Sequence, residues 1–242
     1  MLEMEDRAAV VTGASSGIGR AIALGLGRMG CRLCLLGRRK KVLDAVGEEL
    51  QPVAASVQSY ELDLTSSDEI ERVADSIVNE HGHVDVLVHS AGSIRRGYVA
   101  DARLAEFDEQ YSVNVRAPYL LTQRLLGSIK AGRGQVVFIN STAGLQAGKD
   151  AAQYSASKHA LKAIADSLRA EVNAEGIRVL SVYPGRTATP MQAQVFAMEG
   201  RVYRPEQLMQ PEDVAEIVIA ALRLPRSAEV TDITIRPMQK AS

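Results

Sequence analysis

The chain has 242 residues, 46% hydrophobic and 24% charged, which fits one large α/β domain or two small ones with material for a sizeable core. Lysine and arginine number 28 against 29 acidic residues, a formal net charge of −1 with no long run of either sign, so the footprint of a polyanion-binding or membrane-surface protein is excluded. The opening Met-Leu-Glu-Met-Glu-Asp-Arg is charged and unlike a signal peptide, and no stretch of about 18 apolar residues follows, so a cytoplasmic protein is expected.

In chain order, apolar strand-like runs alternate with helical patterns. Strands are expected at 8–12, 32–36, 57–63 and 84–89, separated by helices at 17–29, 40–50 and 67–80. A long helix at 107–130, a strand at 135–140, a helix at 151–173 and a strand at 178–183 continue the series. A helix at 212–224, led in by Pro211, and a β-branched closing strand at 230–235 complete it. The expected fold is a Rossmann-type doubly wound parallel sheet of about seven strands flanked by helices. No repeat, low-complexity tract or linker divides the chain, so residues 1–242 read as a single domain. The least regular segment follows the strand at 178–183; rich in Met, Gln and Arg, it suits a substrate loop or lid at about 186–210.

Cys31 and Cys34 form a C-x-x-C, but within a strand their odd offset sends the side chains to opposite faces, and no further cysteine completes a zinc set. They read as two buried thiols. His81 and His83 flank Gly82 in an expected loop and read as solvated turn residues, so no metal site is expected.

After the first strand comes Thr12-Gly13-Ala14-Ser15-Ser16-Gly17-Ile18-Gly19. Glycines there permit a tight turn, and the following helix offers free amides to a pyrophosphate; a purely structural turn is the alternative. The spacing departs from G-x-G-x-x-G. At the end of the second strand stands Gly37-Arg38-Arg39-Lys40, with no carboxylate to hold the ribose hydroxyls of NAD and two guanidinium groups able to bind a 2′-phosphate. NADP(H) is therefore the expected cofactor, against the alternative of a solvated basic helix start. Asp63 and Leu64, after the third strand, are placed to meet an adenine ring, unless Asp63 caps the next helix.

Tyr154 and Lys158 lie four residues apart in a helical run, which places a phenol and an ammonium on one face. A cation at roughly 4 Å, with an effective dielectric near 20, favours the phenolate by about 4 kcal/mol before desolvation opposes it. By themselves the two read first as an ordinary exposed helix pair, and other residues must decide.

Together, Thr-Gly-x-x-x-Gly-Ile-Gly at 12–19, Asn114, Ser141 and Tyr154-x-x-x-Lys158 resemble the short-chain dehydrogenase/reductase superfamily over nearly the whole chain. The resemblance implies that Tyr154 is the general acid in carbonyl reduction or the base in oxidation, that Lys158 lowers its pKa and binds the nicotinamide ribose, and that Ser141 holds the substrate oxygen. Asn114 would position a water for proton relay to the lysine; a helix-kink residue is the alternative. Pro184-Gly185 with Thr187 and Thr189 is similar to the family's Pro-Gly-x-x-x-Thr segment at the nicotinamide carboxamide. Where the family usually has Asn-Asn-Ala-Gly, this chain has His89-Ser90-Ala91-Gly92. Ala91 and Gly92 keep the small pair beside the cofactor, whereas His89 replaces an asparagine that braces the sheet near it and reads as structural. His159 points off the catalytic face.

Substrate choice is expected to lie in 93–98, 143–150 and 186–210, where Arg95, Arg96, Arg186 and Arg201, with Lys149 no better placed, could hold an anion. The expected partner is a small carbonyl or alcohol substrate. The resemblance also implies a homo-oligomer, a tetramer or a dimer, packed through the helices carrying Asn114 and Tyr154. The alternative function is a catalytically weak NADP(H)-sensing protein on the same fold; within the enzyme class, a 3-oxoacyl-thioester reductase shares the same residues.

Overall fold

The computed structural model describes residues 2–238. Seven parallel strands form one sheet in the order β3-β2-β1-β4-β5-β6-β7. They are β1 Ala8–Thr12, β2 Arg32–Gly37, β3 Ser56–Glu61, β4 Val86–His89, β5 Gln135–Ile139, β6 Arg178–Pro184 and β7 Asp232–Ile235. The connecting helices are α1 Gly17–Gly27, α2 Lys40–Leu50, α3 Ser67–His81, α4 Leu104–Tyr111, α5 Ala117–Gly132, α6 Ala152–Val172, α7 Pro190–Met198 and α8 Pro211–Leu222. This is the expected doubly wound single-domain sheet, and its order reverses between β1 and β4.

Alternation along each strand divides the core in two. Ala9 and Val11 of β1, with Leu33 and Leu35 of β2, face α1, α2 and α8. Val10, Cys34 and Leu36 face the side of α3, α5 and α6. The cysteines separate as expected: Cys31, just before β2, joins the first core, Cys34 the second, and burial pushes both thiols up to about 12. His81 departs from the solvated reading. It ends α3, and its Nε2 lies 3.2 Å from Cys34 Sγ. His83 Nε2 lies 3.3 Å from Asp85.

Two elements depart from expectation. The long helix begins at Leu104, not Phe107, and a π-helical turn, Ser112–Arg116, joins α4 to α5. The segment after β6 contains a full helix, α7, with the Thr189 hydroxyl accepting from Gln192 N at 3.1 Å and Pro190 in its first turn. Other boundaries shift by one or two residues; β4, for example, begins at Val86.

Candidate active site

The functional side chains gather at the carboxyl ends of β1, β4 and β5, beside the switch point. Thr12 ends β1, and its hydroxyl accepts from Ser90 N at 3.0 Å and Ala91 N at 3.1 Å, tying the glycine turn to the segment after β4. That turn is shaped as a cradle. Gly13 has φ +68°, and a Cβ on it would lie 2.9 Å from the Ala91 backbone; Gly17 has φ +55°. A Cβ on Gly19 would reach 2.5 Å from the Gly13 carbonyl, so glycine there lets α1 pack on the turn. Ser15, Ser16 and Ile18 remain partly accessible, Ser16 makes no side-chain cap bond, and the first turn of α1 carries no acidic residue. Its amides and dipole therefore face outward without a resident anion, as a phosphate requires.

Arg38 and Arg39 are exposed, and among the described residues neither forms an ion pair within 4 Å. Asp63 accepts from Thr65 N at 2.9 Å and Thr65 Oγ1 at 2.8 Å, and these bonds, then the Arg38 charge, hold its carboxyl below the usual range. The cap of α3 falls to Ser66 instead. Leu64 is half-buried against the second core.

The four residues singled out for chemistry are brought together. Tyr154 and Lys158 share a buried face of α6, with Lys158 Nζ 5.8 Å from the centre of the Tyr154 ring. Burial pushes the Tyr154 phenol up, and its hydrogen bond with Ser141 pulls it down less strongly. The lowering by Lys158 that the resemblance implies is therefore not what these residues alone produce. Burial instead brings Lys158 down to about 8, while Nζ donates to the Ile139 carbonyl at 3.1 Å. Ser141 follows β5, and its Oγ also accepts from Ala143 N at 3.1 Å.

Asn114 lies in the π-helical turn. Its Oδ1 accepts from Ser93 N at 2.8 Å, and its Nδ2 donates to Ser93 O at 2.8 Å and Ser157 Oγ at 3.0 Å. Pro118, four residues on, has no N–H to offer the Asn114 carbonyl. A Cβ on Gly92 would meet Asn114 Oδ1 at 3.4 Å and Lys158 Nζ at 4.0 Å, so Gly92 separates the two.

Other expected contacts are placed differently. His89 is fully buried, its Nε2 2.8 Å from Thr122 Oγ1 and its ring stacked on Phe138 at 4.9 Å; burial pushes it down to about 3. Its side chain braces β4 against β5 and α5. Gly185 admits the Arg236–Pro237 backbone, since a Cβ there would lie 3.2 Å from Pro237. Pro184 ends β6, and Thr187 is buried, donating to the Gly185 carbonyl at 3.1 Å. Thr189 alone of this segment reaches the glycine turn: its Cγ2 lies 2.9 Å from where a Gly17 Cβ would be. His159 is exposed and bonded to Ser155 O, off the catalytic face.

Several participants carried no distinct sequence signal. Ser93, Ser157 and Asn140 act through bonds to Asn114 and to the Lys158 carbonyl. Ile94, Val195, Ala143 and Met191 form a small apolar cluster with Tyr154. Arg96, Arg186 and Arg201 converge on Glu199, Arg95 pairs with Glu109, and Lys149 stands over Tyr98.

The profile of the family described as short chain dehydrogenase matches residues 7–200. The chain belongs to that family. An uncharacterized oxidoreductase of Staphylococcus epidermidis is 31% identical over 239 residues, covering 98% of this chain and all of that protein. Among solved structures, an alcohol dehydrogenase from the archaeon Thermococcus sibiricus complexed with 5-hydroxy-NADP superposes with a TM-score of 0.89 at 27% identity, covering 98% of this chain and 100% of that one. A variant of actinorhodin polyketide ketoreductase with NADPH gives 0.87 at 31% identity, with 97% of each chain covered. No helix among the described residues of this family member is long and apolar enough to cross a membrane.

Proposed function

We propose that this short-chain dehydrogenase is an NADP(H)-dependent oxidoreductase that interconverts a carbonyl and an alcohol, with Tyr154 as general acid in reduction and base in oxidation. The observation that carries the reading is the convergence of Ser141, Tyr154, Lys158 and Asn114 beside a glycine cradle that fits a pyrophosphate. Bound nicotinamide supplies or accepts the hydride.

The backbone from Gly13 to Gly19, with the Ser15 and Ser16 hydroxyls, would hold the diphosphate, and Ile18 and Thr189 border it. Exposed Arg38 and Arg39 would take the 2′-phosphate, and Asp63 and Leu64 border the adenine. Ala91, Gly92, Pro184 and Gly185 supply backbone walls, whereas His89 and Thr187 support the site from within.

Ser141 donates to the substrate oxygen and orients it toward Tyr154. Burial keeps the phenol protonated at neutral pH, the form that can give a proton to a developing alkoxide. Lys158, down to about 8, lies close enough to neutrality to pass a proton on. Asn114 fixes the Ser93 backbone through both its side-chain groups, and it would position a water toward Lys158.

The test is a screen of aldehydes, ketones, alcohols and a 3-oxoacyl thioester with NADPH and NADH side by side. Tyr154→Phe is expected to lower turnover by roughly two orders of magnitude or more while NADPH still binds. Unchanged turnover would overturn the assignment, and uniform inertness with tight cofactor binding would favour sensing.

A further inference from the structure

Glu199 follows α7, and its amide donates to Val195 O at 2.9 Å, so the two lie one helical turn apart. Val195 packs with Ile94 and Tyr154, and Met191 and Ala143 close the same cluster. The wall beside the phenol is thus apolar, and Glu199 stands next to it. Three guanidinium groups, two from the 186–210 segment and one from residue 96, end on this carboxylate. Arg186 Nη2 donates to both oxygens at 2.8 and 2.9 Å, Arg201 Nη1 approaches at 3.3 Å, and Arg96 bonds both Glu199 and Asp150. Arg186 and Arg201 also lie over the Phe196 ring at 4.9 and 5.0 Å. The Glu199 side chain is 11% exposed, and the ion pairs seen among the described residues join three positive and two negative groups.

We propose that Glu199 sets the charge preference of the substrate cleft: by engaging Arg96, Arg186 and Arg201, it reserves the cleft for uncharged, apolar carbonyl compounds and turns carboxylates away. The inference rests on the reductase reading for the cleft's purpose. A substrate carboxylate reaching these arginines meets donors already bonded to Glu199 and Asp150, and it must displace or approach like charges to bind them. Removing the Glu199 charge takes away the one carboxylate that Arg96, Arg186 and Arg201 are seen to share. Asp150 has φ +57°, a conformation that asparagine tolerates, so its charge can be removed with little backbone cost.

Calorimetry on the full chain, free and saturated with NADPH, would compare hexanoate with hexanamide. The wild type is expected to bind hexanamide more tightly, and Glu199→Gln to shift the affinity ratio at least fivefold toward hexanoate, with Asp150→Asn moving it the same way. Tighter wild-type binding of hexanoate, binding of neither compound, or a smaller shift in Glu199→Gln with its circular dichroism intact would each overturn the proposal. Should Glu199→Gln not fold, the direction of the shift in Asp150→Asn decides. Reduction of hexanal and 6-oxohexanoate is read separately: no NADPH oxidation with any carbonyl in the broad screen defeats the reductase reading, while the binding ratio still judges the charge preference.

Discussion

Lys158→Met should make the ligand-free protein more stable at neutral pH, because the native fold holds this ammonium at a loss. Burial brings Lys158 from 10.5 to about 8. Each pK unit corresponds to about 1.4 kcal/mol, so keeping the buried group charged at pH 7 costs about 3 kcal/mol relative to the unfolded chain. Methionine removes this penalty but also the bond from Nζ to the Ile139 carbonyl, a loss of about 1 kcal/mol. The net gain of about 2 kcal/mol corresponds to a rise in Tm of about 4–8 °C for a chain of this size. The pH dependence has a defined sign. Between the folded value near 8 and the unfolded value of 10.5, the unfolded chain binds more protons, so wild-type stability at this residue rises with pH. By pH 9.5 the penalty falls by more than half, and most of the advantage of the variant is lost. Calorimetric unfolding of both proteins at pH 7 and 9.5 measures the difference, in which other titrating groups cancel. A variant no more stable than wild type at pH 7, or one whose advantage is the same at both pH values, would refute the reasoning.

Gly13→Ala should destabilise the fold by about 1–3 kcal/mol and weaken NADPH binding, because the position has φ +68° and a Cβ would press on the Ala91 backbone at 2.9 Å; thermal unfolding and a cofactor titration check both effects. Replacing Arg38 and Arg39 together by alanine should raise the Kd for NADPH tenfold or more and leave that for NADH within about twofold, since only the former carries a 2′-phosphate. Tyr111 and Tyr119 are 43% and 54% exposed on α4 and α5, and a homo-oligomer packed through the helices carrying Asn114 and Tyr154 should cover such side chains. Sedimentation should show a dimer or a tetramer, and a monomer at micromolar concentration would contradict it.

The fold was legible because five of the seven strands are almost wholly buried apolar runs, a signal that survives without knowledge of partners. The π-helical turn was not, since it is tied to a tertiary event: Asn114 reaches across 21 residues to both backbone groups of Ser93. Helix α7 was missed for lack of an amphipathic stripe, although Thr189-Pro190 followed by helix-favouring residues is an N-terminal signal that could have found it. Gly185 was legible as part of the Pro-Gly-x-x-x-Thr resemblance but not as the place where the chain's own Arg236–Pro237 segment approaches. Arg96 looked available for an anion because its partner lies far off in sequence, Glu199 being 103 residues away; Arg201, two residues from Glu199, shows that proximity in sequence did not reveal the pairing either.

Burial links what was legible to what was not. Spacing alone placed Tyr154 and Lys158 on one helix face and suggested that the ammonium would pull the phenol toward its charged form. In the fold that face turns inward, and the same desolvation acts on both groups in opposite directions: the phenol holds its proton more firmly and the amine releases its own more readily. A proton donor that stays protonated at neutral pH, beside an amine that titrates near it, is a pairing suited to reducing a carbonyl and then replenishing the donor. The stability that Lys158→Met should recover is therefore the counterpart of this arrangement: an amine brought down to about 8 requires the burial that costs the fold, and an exposed position would not supply it.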